Sequence, residues 1–423
     1  MAVDTLRAES YPRGAAGRRR RTRLPAVADR QLTVLHVLEA VGGGTARHLV
    51  DVVRHTPGVR HVIAMPPRRV GHLSDDRAVA KLTAAGAEVR LVEMRRLPVH
   101  WRNLGGFARL IKLVHELQPD IIHGHAAVGG ALARMLPGSA VRVYTPHAIY
   151  PQRPVVAVER LLARRTQHLV AVSDSEGRFA VERGIADESS VVVIPNGVSL
   201  SAPEPVDLHA MLGLQRDVPL VGTIARLVAQ KAPDAIVAAF RRAAELHPTA
   251  HFVVIGDGHL APVIDNAGEG ALAGRIHRIP SLPDAETVLP SLSVFALLSA
   301  FEGGPYSPLQ AARASVPLVL SDVVGNSDII EPGVSGELVP FADAEAAARA
   351  IVSLLDDPKR AELLAGAMML RLVERFNVEA MGASYVRFYL TAGRRSQVPA
   401  WVRAGYAAAP PQAEGISAPT ANT

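Results

Sequence analysis

From residue 31 onward, short runs of apolar, β-rich residues alternate with longer stretches whose apolar positions recur at helical spacing. A period that switches repeatedly between about 2 and about 3.6 marks strands separated by helices, and strands joined through helices pair in parallel. The first half of the chain predicts strands at 32–38, 62–64, 89–92, 121–123, 141–145, 169–172 and 191–194. The second half predicts them at 220–225, 252–255, 275–279, 294–298 and 318–321. Helix ends are legible between them. Gly86 reads as a C-cap, Pro119 as a stop, and Ser173 with Glu176 as an S-x-x-E capping box. The predicted fold class is α/β, with two Rossmann-like, doubly wound parallel-sheet domains facing a cleft.

The rhythm breaks between 199 and 218, where Pro203, Pro205 and Pro219 interrupt it and Gly213 closes a short helical turn. The expected organisation is a leader over 1–30, a first domain over 31–200, a linker over 201–218 and a second domain over 219–375. A closing helix over 376–391 precedes a Pro- and Ala-rich tail over 392–423, which reads as disordered, like the leader.

Composition narrows this picture. The 423 residues are 48% hydrophobic and 20% charged, enough for two packed domains. The absence of cysteine excludes disulfides, thiolate metal sites and a cysteine nucleophile, and suits a reducing cytosol. The net charge of +6 belongs to the ends: residues 1–30 hold eight arginines against three acids, and residues 392–423 hold three against one. The body is therefore close to neutral and offers no general surface for nucleic acid. No run approaches the ~18 apolar residues of a membrane span, and the leader lacks a signal-peptide pattern. A cytoplasmic protein is expected. Segment 155–168 sets Val155, Val158, Leu161 and Leu162 beside Arg160, Arg164 and Arg165, a basic amphipathic pattern that fits peripheral contact with the inner face of an anionic membrane or ordinary packing.

Ligands of doubly wound sheets bind at loops after the strands, and four such loops carry chemistry. Gly42-Gly43-Gly44 leaves backbone N–H groups open to an anion, but with Arg47 in the G-x-G-x-x-R pattern it matches neither familiar phosphate loop. Tyr144-Thr145-Pro146-His147 places His147 at a cleft edge, to bond a hydroxyl, hold a proton or simply pack. His123 and His125 share metal-ligand spacing, but no third ligand stands near them in the sequence, so no metal is expected. Arg226 and Lys231 follow the first strand of the second domain, as a diphosphate would require. In 299–310, Glu302, Gly303 and Gly304 precede Ser307, a good N-cap, and Pro308, a good first helical residue.

Taken in order, Gly-Gly-Gly, Asp-Ile-Ile-His-Gly-His, Thr-Pro-His, Val-Ser-x-x-Glu, Ile-Pro-Asn-Gly-Val, Arg-Leu-Val-x-Gln-Lys, Ile-Gly-Asp-Gly and Glu302 onward to Gly336-Glu337-Leu338-Val339 resemble the retaining family 4 glycosyltransferases over residues 31–391. The look is nearest to transferases building exopolysaccharide, capsule or lipopolysaccharide. The resemblance implies a GT-B fold with a C-terminal helix crossing back to the first domain, a nucleotide-sugar donor, a glycan or lipid-linked acceptor, and no metal or other cofactor. It assigns the donor diphosphate to Arg226 and Lys231, the transferred sugar to Glu302, and a place near the reacting sugar to His147. Gly43 and Gly44 would line the cleft opposite the diphosphate, with Gly256, Gly303, Gly304 and Ser307 also on the donor. The loop around Arg278 and Ile279 would flank the base.

One departure stands out. The family's second motif glutamate, which grips ribose hydroxyls, is Gln310 here. Glutamine accepts such a bond without its charge-assisted strength, a difference of about 1 kcal/mol, so restoring Glu is expected to raise donor affinity. The same departure keeps open a non-catalytic sugar- or lipid-binding homologue, beside a nucleotide-sugar epimerase of the same fold.

Overall fold

The computed structural model describes residues 31–39, 42–67, 77–95 and 103–393. The predicted leader and nearly all of the tail lie outside the described residues.

Two parallel sheets organise the chain. The first contains β1 (Thr33–Leu38), β2 (Arg60–Met65), β3 (Glu88–Leu91), β4 (Ile121–His125), β5 (Val141–Thr145), β6 (His168–Ala171) and β7 (Val191–Val193), in the order β3-β2-β1-β4-β5-β6-β7. The second contains β8 (Leu220–Ile224), β9 (His251–Ile255), β10 (Ile276–Ile279), β11 (Val294–Leu297), β12 (Leu318–Ser321) and β13 (Glu337–Val339), in the order β10-β9-β8-β11-β12-β13. Each order runs outward from its first strand in both directions, so the switch points lie between β1 and β4 and between β8 and β11. All but one of the parallel pairs of consecutive strands are joined through a helix, the exception being β12 and β13, because a parallel neighbour can be reached only by a crossover.

Every strand predicted from the pattern is present. β13 was not predicted: its three residues expose two half-buried positions, too short and too polar to show a period. The predicted linker region carries the helix Leu208–Leu212, closed by Gly213 in the left-handed conformation. The helix predicted after the second carboxylate loop begins earlier than expected. It spans Tyr306–Arg313 with Pro305 as N-cap, so Ser307 and Pro308 lie inside its first turn. Proline is tolerated there because its missing N–H would have no partner within the helix.

Both sheets are covered on both faces. Phe240, Phe252, Val294 and Ile351 pack one side of the second sheet and Phe295, Leu309, Leu320 and Met368 the other. In the first half, Leu35, Val62 and Leu110 form one core and Val34, Ile121, Tyr385 and Tyr389 another. The two tyrosines belong to the final helix, Val378–Gly393, which returns from the second sheet to cover β1 and β4. Gly382 makes this return possible: a Cβ there would lie 2.3 Å from His55 Cβ and 2.6 Å from its carbonyl oxygen.

Candidate active site

The loops at the two switch points enclose a cavity of about 330 Å³. From the second sheet, the segment after β8 contributes Arg226, Gln230 and Lys231, the residue after β9 is Gly256, and the loop after β11 contributes Glu302, Gly303 and Gly304. Lys231 Nζ donates to Glu302 Oε1 at 2.5 Å, with the two side chains 12% and 5% exposed. Gln230 Nε2 donates to the Phe301 carbonyl at 3.1 Å, tying the two loops together. Lysine and glutamate thus reach the cavity as a nearly buried ion pair, and each charge is held in place by the other. The N-terminus of the helix Tyr306–Arg313 opens beside them, and its Ser307 and Gln310 line the same space.

Facing them, the helix Gly43–Arg54 begins at the cavity with Gly43 and Gly44. Its first turn carries no acidic residue, so its N-terminal N–H groups and the partial positive charge of the helix end remain available to an anion. His147 lines the cavity in an uncommon backbone state: its φ is 57° and that of Ala148 is 119°. Such angles cost on the order of 1–3 kcal/mol each and persist only where neighbours impose them. Glu176 is one of those neighbours, its Oε1 accepting from Ala148 N at 2.8 Å and its Oε2 from Val172 N at 2.9 Å. The S-x-x-E expectation is therefore half met. Ser173 Oγ accepts from Glu176 N, but the glutamate clamps the His147 loop instead of returning to Ser173. Burial pushes the Glu176 carboxyl up to about 7 against these two backbone bonds. Gly303 is the other neighbour: a Cβ there would lie 2.6 Å from Ala148 N.

Eleven of the predicted positions converge on the cavity: Gly43, Gly44, His147, Arg226, Lys231, Gly256, Glu302, Gly303, Gly304, Ser307 and Gln310. Arg278 and Ile279 do not. They belong to the edge strand β10, where Arg278 pairs with Asp257 at 2.9 Å and Asp265 at 2.5 Å, and the following residues Ser281 and Leu282 take the place at the cavity.

Sequence reasoning missed three contributors. Asn196 joins the two sides, its Nδ2 donating to Gly304 O at 2.6 Å while its Oδ1 accepts from His48 Nδ1 at 2.9 Å. Arg47, from the first side, lies 3.1 Å from Glu286 of the second. Glu286 is the most consequential omission, because its Oε2 also receives Arg313 at 3.1 Å and the side-chain amide of Gln310. A carboxylate therefore stands beside the position where the motif lost one. Its only trace in the sequence was a glutamate in an unremarkable helical segment.

The histidines gather across strands in a way that spacing along the chain did not show. β1 and β4 align His36 with His123, and the ring nitrogens of His36, His123 and His125 come within 4.8 Å of one another, as do those of His48, His125 and His147. His36, remote from them in the sequence, thus stands beside His123 and His125 in space.

Two doubly wound sheets meeting at a cleft, with glycine-opened helix ends on one side and paired charges on the other, define the GT-B class of glycosyltransferases. The model for Glycosyltransferase Family 4 matches residues 42–202, and that for Glycosyl transferases group 1 matches residues 207–366. The chain belongs to the family 4 glycosyltransferases. It is 27% identical over 297 residues to the UDP-Gal:α-D-GlcNAc-diphosphoundecaprenol α-1,3-galactosyltransferase of Escherichia coli, covering 66% of this chain and 76% of that one. It is likewise 27% identical over 306 residues to the 2-deoxystreptamine N-acetyl-D-glucosaminyltransferase of Streptomyces fradiae, covering 66% and 73%. Among solved structures, Anabaena HepE in complex with UDP and glucose superposes with a TM-score of 0.71 at 19% identity, over 85% of this chain and all of that one.

Proposed function

We propose that this glycosyltransferase moves a hexose-type sugar from a nucleotide-sugar donor to a glycan or lipid-linked saccharide acceptor in cell-surface polysaccharide biosynthesis, with retention at the anomeric carbon and without a metal ion. The observation that carries the reading is the placement of Arg226, Lys231, Glu302 and two helix N-termini around one cavity. The donor class is supported by relatives whose names specify UDP-galactose, or UDP bound with glucose. The lipid-linked acceptor is supported by the diphosphoundecaprenol substrate of the Escherichia coli relative.

In such a transfer the bond between the anomeric carbon and the diphosphate oxygen breaks, and the costly event is negative charge building on the leaving phosphate. Arg226, Lys231 and the helix N-termini stabilise that charge. Glu302 accepts hydrogen bonds from sugar hydroxyls. The acceptor oxygen attacks from the face the phosphate leaves, and its proton passes to a phosphate oxygen, so that configuration is retained without an enzyme nucleophile. Arg226→Ala should lower kcat/KM about 10²–10³-fold, the usual cost of one donor to a developing oxyanion, while EDTA should leave turnover intact. Activity within severalfold of wild type in the variant, or abolished by EDTA, would refute this assignment.

Peripheral contact with an anionic bilayer belongs to the same reading. In the helix Arg153–Ala163, Val156 and Leu162 turn inward, whereas Val158 and Leu161 are 51% and 67% exposed beside the exposed Arg160 and Arg164. Among the described residues, no helix is long and apolar enough to cross a membrane. Flotation with anionic vesicles should carry the wild type but not the Leu161→Glu/Arg164→Glu variant; equal flotation of both would discard the contact.

A further inference from the structure

Behind His147 runs an unbroken line of imidazoles through the first sheet. His147 Nε2 is 3.1 Å from His125 Nδ1, His125 Nε2 is 3.0 Å from His36 Nδ1, and His36 Nε2 is 2.9 Å from His61 Nδ1. The line ends where His61 Nε2 meets Thr56 Oγ1 at 2.7 Å, and that hydroxyl lies 2.6 Å from the carbonyl oxygen of Val52. His36, His61, His125 and Thr56 are all at most 3% exposed.

We infer that Thr56 dictates the tautomer of His147 from the far end of this line, so that His147 offers the cavity a hydrogen-bond acceptor, Nδ1, and selects a ligand hydroxyl as donor. This rests on the reading of the cavity as the site of sugar transfer. The argument begins at the closed end. A carbonyl oxygen carries no proton, so the single hydroxyl proton of Thr56 must point at Val52, and Thr56 Oγ1 can only accept from His61. His61 is then protonated at Nε2. A neutral imidazole has one N–H, which leaves His61 Nδ1 to accept from His36 Nε2–H. The same step repeats through His125, making His147 the donor at Nε2 and leaving its Nδ1 with a lone pair.

The line itself requires one N–H per ring, because each N···N contact of 2.9–3.1 Å holds a single proton and the last ring donates to Thr56 Oγ1; burial acts in the same direction. It lowers His36, His125 and His147 well below the ordinary value and His61 to about 4. The line has no outlet for a proton at Val52, so it sets polarity and does not conduct. Thr56, His61, His36 and His125 are positioning residues for His147.

Thr56→Val is the informative change, since it keeps shape and removes only the hydroxyl. Without that acceptor every bond in the line can reverse at no cost to its number, and His147 becomes a donor at Nδ1. The test is the nitrogen-15 spectrum of histidine-labelled full-length protein without ligand at neutral pH, with the His147 signals assigned by their loss in His147→Gln. Wild type and Thr56→Ser should show His147 protonated at Nε2, and Thr56→Val should show it protonated at Nδ1. The proton switch should lower kcat/KM for sugar transfer about tenfold, the worth of one hydrogen bond, with Thr56→Ser restoring it. A wild-type His147 protonated at Nδ1 or at both nitrogens would overturn the inference, as would a Thr56→Val spectrum identical to wild type. Stoichiometric Zn²⁺ in the purified protein would overturn it too, because a metal on His36, His123 and His125 takes the nitrogens that these bonds occupy. A tautomer switch with unchanged kcat/KM would remove the claim on the ligand. Because the tautomer is read without substrate, an inactive protein with Nε2–H at His147 would fail the proposed transfer alone.

Discussion

The two walls of the cavity solve the problem of buried polarity in opposite ways. The wall built on β8 and β11 keeps full charges and pairs them, Lys231 with Glu302 and Arg313 with Glu286, and Glu286 also draws Arg47 across from the opposite wall. The wall built on β1 and β4 drives its titratable groups toward neutrality: burial depresses the histidines, and it raises Glu176 to about 7. Where a full ion pair is buried in this half, between Arg134 and Glu159 at 2.8 Å, neither residue lines the cavity. Charge faces the place where a leaving diphosphate would develop charge, and oriented neutral dipoles face the place where hydroxyls must be told apart. The difference teaches that both walls are preorganised, one by ion pairing and the other by tautomer.

The largest effect that separates the walls should be acid sensitivity. His48 and His61 are lowered from 6.5 to about 4, so between those values the unfolded chain binds protons that the folded chain refuses. Stability should be complete above pH 6.5 and lost as pH falls through that window, on the order of 3 kcal/mol for each of the two. Burial lowers His36, His123, His125 and His147 in the same direction. Glu176 and Asp51 oppose them, because burial raises the first to about 7 and the second to about 6 and so adds stability as pH falls through those values, but they are two groups against six histidines. Hydrogen exchange between pH 7 and 5 should show amide protection collapsing in β1 and β4 while β8 and β11 hold. Equal loss in both sheets would erase the distinction.

Next in size is the paired wall. Lys231→Met should lower kcat/KM about 10²–10³-fold, partly by removing the cation and partly by stranding the Glu302 carboxylate. Glu302→Gln should cost a similar amount. The double variant should then lose much less than the product of the two, because neither charge is left alone. Multiplicative losses in steady-state kinetics would mean that the two residues act independently and that the 2.5 Å pairing is incidental to function.

Much of this arrangement was legible along the chain, and the failures have physical causes. Strands of four or more residues announced themselves through apolar runs, and the glycine, lysine and glutamate loops fell where doubly wound topology puts ligands. β13 escaped because Glu337 leaves it only two apolar residues, whereas the equally short β7 is all valine. The histidine line was half visible: His36, His61, His123 and His125 all occupy strands, but their shared face depends on the register of β2, β1 and β4, which a single sequence does not reveal. Ser307 was misplaced because Pro308 is as comfortable inside the first turn as at its first position, so residue type alone left two starts open. Arg278 looked like a ligand contact until Asp257 and Asp265 were seen to claim it.

Gln310 carries the smallest prediction and the one where structure reverses the expectation from sequence. Taken alone, the position calls for the family's glutamate and predicts tighter donor binding when it is restored. In the folded chain the Gln310 amide donates to Glu286 Oε2, which Arg47 and Arg313 also approach at 3.1 Å. A glutamate at 310 would have no proton to give and would set carboxylate against carboxylate, with two guanidiniums offsetting only part of the repulsion. Gln310→Glu should therefore weaken donor binding about tenfold, the cost of the lost hydrogen bond with residual repulsion. Glu286→Gln/Gln310→Glu, which exchanges the two groups while preserving one carboxylate and one amide, should return affinity to within about threefold of wild type. Calorimetric titration with the donor decides between these. Tighter binding by the single variant would show that Glu286 plays no part in holding position 310 and that the charged wall was weakened when its glutamate was lost.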